Sequence, residues 1–157
     1  MVLKSSFILA AAFVLIGASA GKVVLSGTAQ SCSGGKPPVT VGVKGISLSA
    51  FNTTKVPSLV TLLRGMDTAT FPDSVAMAQF TTKYNQMVSL TNSSTALVRT
   101  TSGSTGAFSV SISPIDSVLI VGFANDEGQP FYYNYKIVCG RSNASFVLDM
   151  SRGDCSR

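Results

Sequence analysis

The 157-residue chain contains no histidine and no tryptophan, and only 12% of its residues are charged. Without histidine the chain cannot build a Ser–His–Asp or Cys–His catalytic set, and it cannot offer imidazole ligands to zinc. Among its seven acidic residues, Asp126 and Glu127 fall together in a predicted turn, whereas a glycosidase needs a second carboxylate across a cleft. We therefore expect no catalytic residues, no metal site and no cofactor, and a hydrolase ranks last among the candidate functions.

The basic residues also exclude a class of partner. The chain has 12 lysine and arginine residues and a formal net charge of +5. These residues are spread along the chain and form no run or stripe, so the sequence shows no nucleic-acid footprint. A low charge together with many serine, threonine, glycine and valine residues is typical of an extracellular all-β domain.

Residues 1–20 have the pattern of a Sec-type signal peptide. Lys4 supplies the positive region, an apolar stretch runs from Phe7 to Ile16, and Ala18-Ser19-Ala20 is a small-residue cleavage site. The apolar stretch is too short to span a membrane, and no later segment approaches the required length. We expect the mature chain to be secreted, to the medium, the cell surface or the cell wall, with no transmembrane segment.

Short strands separated by turn residues dominate the mature chain, above all from Thr95 to Cys139. Apolar and polar side chains alternate over residues 108–112, which predicts a strand with one buried face. Residues 117–123 are apolar on both faces, which predicts a central strand covered on both sides. Alternate residues from Phe131 to Cys139 share one further face. This succession predicts an antiparallel meander within a mainly β sandwich of about seven strands.

A helical period interrupts the strands. Pro57 stands at a helix start and Gly65 at a helix stop, and Asp73 or Ser74 is placed to cap a second helix. Along that second helix, an apolar stripe at steps of three and four residues is formed by Met77, Phe80, Tyr84 and Met87. We expect this stripe to be core; the alternative is that it lines the pocket of a small apolar ligand carrier.

One domain accounts for these patterns. We predict a single sandwich over residues 21–150, with the helical segment at 57–90 inserted between its early and late strands. Residues 151–157 are polar and form a C-terminal tail.

The three cysteines are Cys32, Cys139 and Cys155, and export permits a disulfide. Three thiols allow three single pairings and leave one cysteine over. We slightly favour Cys139 with Cys155, because the tail otherwise has no anchor, and keep Cys32 with Cys139 as an alternative.

Further surface motifs have an extracellular meaning. Asn52, Asn92 and Asn143 begin N-glycosylation sequons in predicted loops or element ends, and they are used only in a eukaryotic host. Arg152-Gly153-Asp154 is a triplet that a receptor such as an integrin can read, although it also arises by chance. Tyr132 is the tyrosine of its cluster that we expect to face outward, where it could contact a sugar or a protein.

The turns resemble those of a known family. VVLSGTAQ, GGKPP and VTVGVKG follow its order of a glycine-containing strand, a Gly-x-Pro turn and an alternating valine strand, and a Thr-Thr hairpin leads to Phe108. The mature chain in this respect resembles carboxypeptidase regulatory-like domains, which are transthyretin-like (prealbumin-like) β-sandwiches. A weaker resemblance is to pollen Ole e 1-like extracellular domains, which also place a cysteine where Cys32 stands. The resemblance implies a non-catalytic module for structural support or for contact with an extracellular protein or carbohydrate.

Overall fold

The computed structural model describes residues 21–33, 39–67, 73–124 and 133–150. The signal-peptide region and the C-terminal tail lie outside these ranges. In chain order the elements are β1 (Val23–Ser33), β2 (Val39–Gly42), β3 (Ser47–Asn52), a short 3-10 helix (Thr53–Lys55), α1 (Pro57–Asp67), α2 (Ser74–Ser93), β4 (Val98–Thr101), β5 (Ala107–Ile112), β6 (Ile115–Phe123), β7 (Tyr133–Gly140) and β8 (Ala144–Asp149).

The strands form two sheets. In the first sheet β1 is central, and Leu25 pairs with Val110 of β5 on one side and with Ala144 of β8 on the other. Gln30 pairs with β8 on one side and with β2 on the other. β2 therefore lies on the same edge of β1 as β5 and continues that edge beyond the end of β5. The second sheet has the order β4-β3-β6-β7, and all its pairs are antiparallel. The predicted mainly β sandwich with a helical insertion is confirmed.

The predicted meander is wrong. Within the stretch from Thr95 to Cys139, only β6 and β7 pair as consecutive strands, whereas β4, β5 and β6 alternate between the two sheets. β4 passes to β5 through a turn at Gly103–Gly106, in which Gly106 has a φ of 78° and its N–H bonds back to Gly103. This turn moves the chain from one sheet to the other, and strand periodicity alone does not distinguish such a crossing from a hairpin.

The second sheet is buried on both faces, as its apolar central strand predicted. Val118 and Ile120 of β6 lie in a core between the two sheets. Leu119 and Val121, on the opposite face, lie in a second core that is closed by the two helices. The molecule therefore has three layers, namely the first sheet, the second sheet and the helical layer.

Local sequence explains both helices. Pro57 begins α1, as expected for a residue that lacks an amide hydrogen. Leu59, Leu63 and Met66 form its buried face. The predicted stop at Gly65 is two residues early, because α1 runs to Asp67. The side chain of Asp73 caps α2 by accepting a hydrogen bond from the N–H of Ala76 at 2.8 Å, which confirms that part of the prediction.

Arg99 of β4 ties the helical layer to the second sheet. One guanidinium nitrogen donates to the hydroxyl of Ser49 at 2.9 Å, and the other donates to the carbonyl oxygens of Thr91 and Ser94, each at 2.9 Å. The guanidinium carbon also lies 5.8 Å from the centre of the Phe51 ring. A cation at the carboxyl end of a helix complements the helix dipole as well as its unpaired carbonyls.

Gly27 of β1 makes room for an aromatic pair formed by the two neighbouring strands, β5 and β8. It pairs with Phe108 on one side and Phe146 on the other, and the centres of these two rings are 5.6 Å apart. A Cβ atom at residue 27 would lie 2.5 Å from the carbonyl oxygen of Phe146 and 2.6 Å from the Phe108 ring. The strand glycine of the sequence motif therefore has a packing role.

We expect Gly27→Ala to lower the free energy of unfolding by about 2 kcal/mol, because backbone and ring atoms must shift to admit the methyl group. The matched control is Gly65→Ala, at an exposed helical site with no atom within 4 Å of the added carbon. That substitution should raise stability by about 0.5–1 kcal/mol through helix propensity. Urea unfolding measures both, and equal effects at the two sites would contradict the packing role.

Arg99→Met should lower the free energy of unfolding by about 1–2 kcal/mol, since it removes hydrogen bonds from a cation to helix-terminal carbonyls. Lys83→Met removes the same charge from an exposed position on α2 and should change stability by less than about 0.5 kcal/mol. Loss of protection of the α2 amides in hydrogen exchange should accompany the Arg99 change. Unchanged protection at α2 would show that Arg99 does not hold the helical layer.

Candidate functional site

The face of the first sheet that points away from both cores is exposed and carries hydroxyl groups. Ser26 of β1 pairs with Ser109 of β5 and with Ser145 of β8, so three serines form a row across the sheet. The neighbouring outward positions of the three strands are occupied by Val24, Thr28, Ala107, Ser111 and Val147. We call these eight residues the hydroxyl face. None of them carries a charge, and the side chains are small.

A groove adjoins this face at the edge formed by β7 and β8. It has a volume of about 350 Å³ and is lined by Arg64, Asp67, Asn134, Tyr135, Lys136, Ile137, Val147 and Asp149. We call it the tyrosine groove. Val147 belongs both to this groove and to the hydroxyl face, so the two features form one continuous surface. Ile137 and Val147 are 39% and 46% exposed, which gives the groove apolar contact area between its charged residues.

Tyr135 and Asp67 join the sheet to the end of α1 within the groove. The phenol hydroxyl donates to the Asp67 carboxylate at 2.5 Å. Burial, followed by the hydrogen bond to Asp67 and its negative charge, raises the pKa of Tyr135 to about 12. The phenol therefore stays protonated at neutral pH and acts as a hydrogen-bond donor, while the carboxylate is already engaged.

Asn134 closes the edge between β7 and β8. Its amide nitrogen donates to the carbonyl oxygen of Asp149 at 2.5 Å, and its amide oxygen accepts from the N–H of Tyr135 at 2.6 Å. Both backbone groups lie at the sheet edge, where an unpaired group would otherwise invite a further strand. A single side chain thus fixes the wall of the groove.

A second, larger hollow lies at the other end of β7. It has a volume of about 560 Å³ and is lined by Asn52, Thr54, Pro114, Ile115, Asp116, Ser117 and Arg141. Asp116 and Arg141 form an ion pair across it, but both side chains are more than 70% exposed. An exposed pair of this kind contributes little stability.

The predicted apolar stripe of α2 is divided between core and surface. Phe80 and Met87 are buried in the second core, where Phe80 packs against the ring of Tyr133. Tyr84 is half-buried and donates its hydroxyl to the carbonyl oxygen of Ala124 at 3.2 Å, and burial raises its pKa. Met77 is 39% exposed. The buried members of the stripe therefore fill space between helix and sheet.

The predicted shared face of β7 is present, whereas several other predicted site residues are not described. Alternate residues of β7 do share one face, which is buried at Tyr133 and becomes exposed towards Ile137. Tyr132 and the triplet Arg152-Gly153-Asp154 lie outside the described residues, as do Asp126 and Glu127.

All three sequon asparagines lie within the described part of the chain. Asn52 ends β3 and accepts hydrogen bonds from the backbone N–H and the hydroxyl of Thr54. Asn92 is exposed in the last turn of α2. Asn143 is exposed between β7 and β8, and its amide oxygen accepts from the N–H of Val24 at 2.8 Å. Their use remains a prediction.

The state of the cysteines contradicts the expected disulfide pairing. Cys139 is free and exposed on β7, so the favoured pairing of Cys139 with Cys155 is wrong, as is Cys32 with Cys139. Cys32 of β1 is disulfide-bonded. The need to anchor the tail does not by itself distinguish Cys139 from Cys32 as the partner of Cys155.

Among the described residues, no cluster of three or more acidic or cysteine side chains is close enough to hold a metal ion. Within the same ranges, no helix has the length and apolar character needed to cross a membrane.

Sequence reasoning did not identify the hydroxyl face or the tyrosine groove. The polar alternation of β5 marked Ser109 and Ser111 as exposed, and this was the available signal. Ser26 and Ser145 join them only through long-range strand pairing. Asp67 and Tyr135 are 68 residues apart in the chain, so their contact has no local sequence signature.

Comparisons with known proteins assign no family. No family model matches the chain, and no curated protein matches it. A solved structure of a double mutant of shaft pilin SpaA from Lactobacillus rhamnosus GG is similar at 8% identity with a TM-score of 0.35. The match covers 82% of this chain and 51% of that one, so this chain spans about half its length. Likeness at this level carries no functional argument.

The raised pKa of Tyr135 predicts a loss of stability in alkaline solution. The folded-state pKa is about 12, above the ordinary value of 10.0, so the folded protein holds this proton more tightly than the unfolded chain. The contribution of this proton to the free energy of unfolding is complete below pH 10 and is lost as the pH rises towards 12. Tyr135→Phe should therefore show a smaller fall in stability over this window than the unaltered protein.

Tyrosinate absorbance provides the direct check. Asp67→Asn should move the titration of Tyr135 down towards the ordinary range, because it removes the negative charge beside the phenol. The residue is identified by subtracting the titration curve of Tyr135→Phe. If Asp67→Asn leaves the Tyr135 titration unchanged, the carboxylate is not a cause of the raised pKa.

Proposed function

We propose that this protein is an exported, non-catalytic β-sandwich module that binds a protein or a carbohydrate, or provides structural support, at the cell surface or in the wall. The finer assignment that we propose is a carboxypeptidase regulatory-like, transthyretin-like domain. The support for that assignment is the glycine-containing first strand, whose Gly27 has a packing role, and the two-sheet architecture.

The hydroxyl face is the observation that carries this proposal. The second sheet is covered on both sides, whereas the outward side of the first sheet has no layer upon it among the described residues. Small uncharged side chains allow a partner surface to approach the backbone closely. Hydroxyl groups can exchange hydrogen bonds with water for hydrogen bonds with sugars or peptide groups, without the cost of desolvating a charge.

The use of the carboxylates supports a non-catalytic role. Asp73 caps α2, Asp67 accepts from Tyr135, and Asp116 is paired with Arg141. Each of these three groups is occupied by a neighbour, and they lie at three separate places in the fold. General acid–base catalysis needs titratable groups that converge on one reacting centre.

The carrier hypothesis gains no support from α2. The side chains that would line its pocket, Phe80 and Met87, are packed against the second sheet. A hydrolase using Asp126 and Glu127 remains untested, because those residues lie outside the described ranges.

Charge placed on the hydroxyl face should weaken binding. Ser109→Lys and Ser145→Lys each put a cation into the uncharged surface, and a partner that covers it would have to desolvate that cation. We expect affinity for the host's own surface material, tested separately as wall polysaccharide and as surface protein, to fall by about tenfold or more. The measurement is a sedimentation or surface-binding assay.

The matched controls are Thr82→Lys and Ser89→Lys, which add the same charge to exposed positions of α2. They should bind as the unaltered protein does, and thermal unfolding should show that all four variants are folded. The protein is isolated from its own host, where an N-terminus at Gly21 shows that the signal peptide is used. Equal binding by all four variants would reject the hydroxyl face as the contact surface.

A further inference from the structure

The two described cysteines differ in state. Cys139 is a free, exposed thiol on β7, whereas Cys32, next to the end of β1, is disulfide-bonded. The chain contains only one other cysteine, Cys155. We infer that Cys32 is joined to Cys155, so that a disulfide anchors the C-terminal tail to the first strand of the domain.

The strand pairing brings the tail to the right place. β8 runs parallel to β1 with Asp149 beside Gln30, and the N–H of Met150 donates to the carbonyl oxygen of Gln30 at 2.7 Å. The chain thus leaves β8 alongside β1 and heading towards Cys32. Cys32 lies two residues beyond Gln30, or about 7 Å along the strand. The five residues from Met150 to Cys155 can span about 17 Å, which is sufficient.

The bond requires an oxidant, which the export compartment supplies. Cys32 and Cys155 together lose two protons and two electrons as the S–S bond forms. A disulfide-bearing oxidant accepts both and is reduced to two thiols by thiol–disulfide exchange. This requirement agrees with the proposed export, but the pairing rests on the cysteines themselves and can be tested whatever the partner of the hydroxyl face.

Trypsin separates the three cysteines into different peptides. Cys32 lies in residues 23–44, because the Lys36–Pro37 bond resists cleavage; Cys139 lies in residues 137–141 and Cys155 in residues 153–157. The exported protein is alkylated with iodoacetamide without reduction and digested. We expect the label on Cys139 and a linked species whose mass is that of peptides 23–44 and 153–157 less two hydrogens.

Label on Cys32, or a link from peptide 23–44 to 137–141 or to a second copy of itself, would overturn the pairing. Two variants add an independent measurement. Cys139→Ser should keep the linked species and lose about 10 °C of Tm on reduction, as the unaltered protein should. Cys155→Ser should expose Cys32 to alkylation and show no reduction-dependent change in Tm. A reduction-dependent Tm in Cys155→Ser would contradict the inference.

Discussion

Strand β6 is apolar on both faces, and the rest of the structure depends on covering both. Val118 and Ile120 require one apolar layer, which the first sheet provides, while Leu119 and Val121 require another, which α1 and α2 provide. Burying side chains of this size contributes about 1.5–3 kcal/mol each. The helical segment is therefore an integral layer of the fold, since its removal would expose one entire side of the second sheet to water.

Polar contacts around the second core follow from this arrangement. Arg99 fixes the end of α2, Tyr84 reaches the end of β6, and Tyr135 reaches the end of α1. Each contact lies where a helix meets the sheet, so each also secures the helical layer.

The sequence allowed the local elements to be predicted better than their assembly. The apolar character of β6 predicted a central strand, and Asp73 predicted the start of α2. The assignment of β4 and β5 to different sheets could not be predicted, because an alternating strand serves equally well in either sheet. The contact of Asp67 with Tyr135 and the row through Ser26 depend on residues far apart in the chain. The state of Cys32 likewise depends on which strand ends meet, which cysteine spacing does not specify.

The pairing of β1 with β8 places the beginning and the end of the described fold side by side. On the side where it pairs with β8, β1 has no neighbour until β8 has been made. A topology with such high contact order folds slowly, because the entropy of closing the whole chain is lost before the final pairing forms. A chain that has not yet reached β8 therefore has an open edge on the central strand of its first sheet, and the fold closes only when that edge is covered.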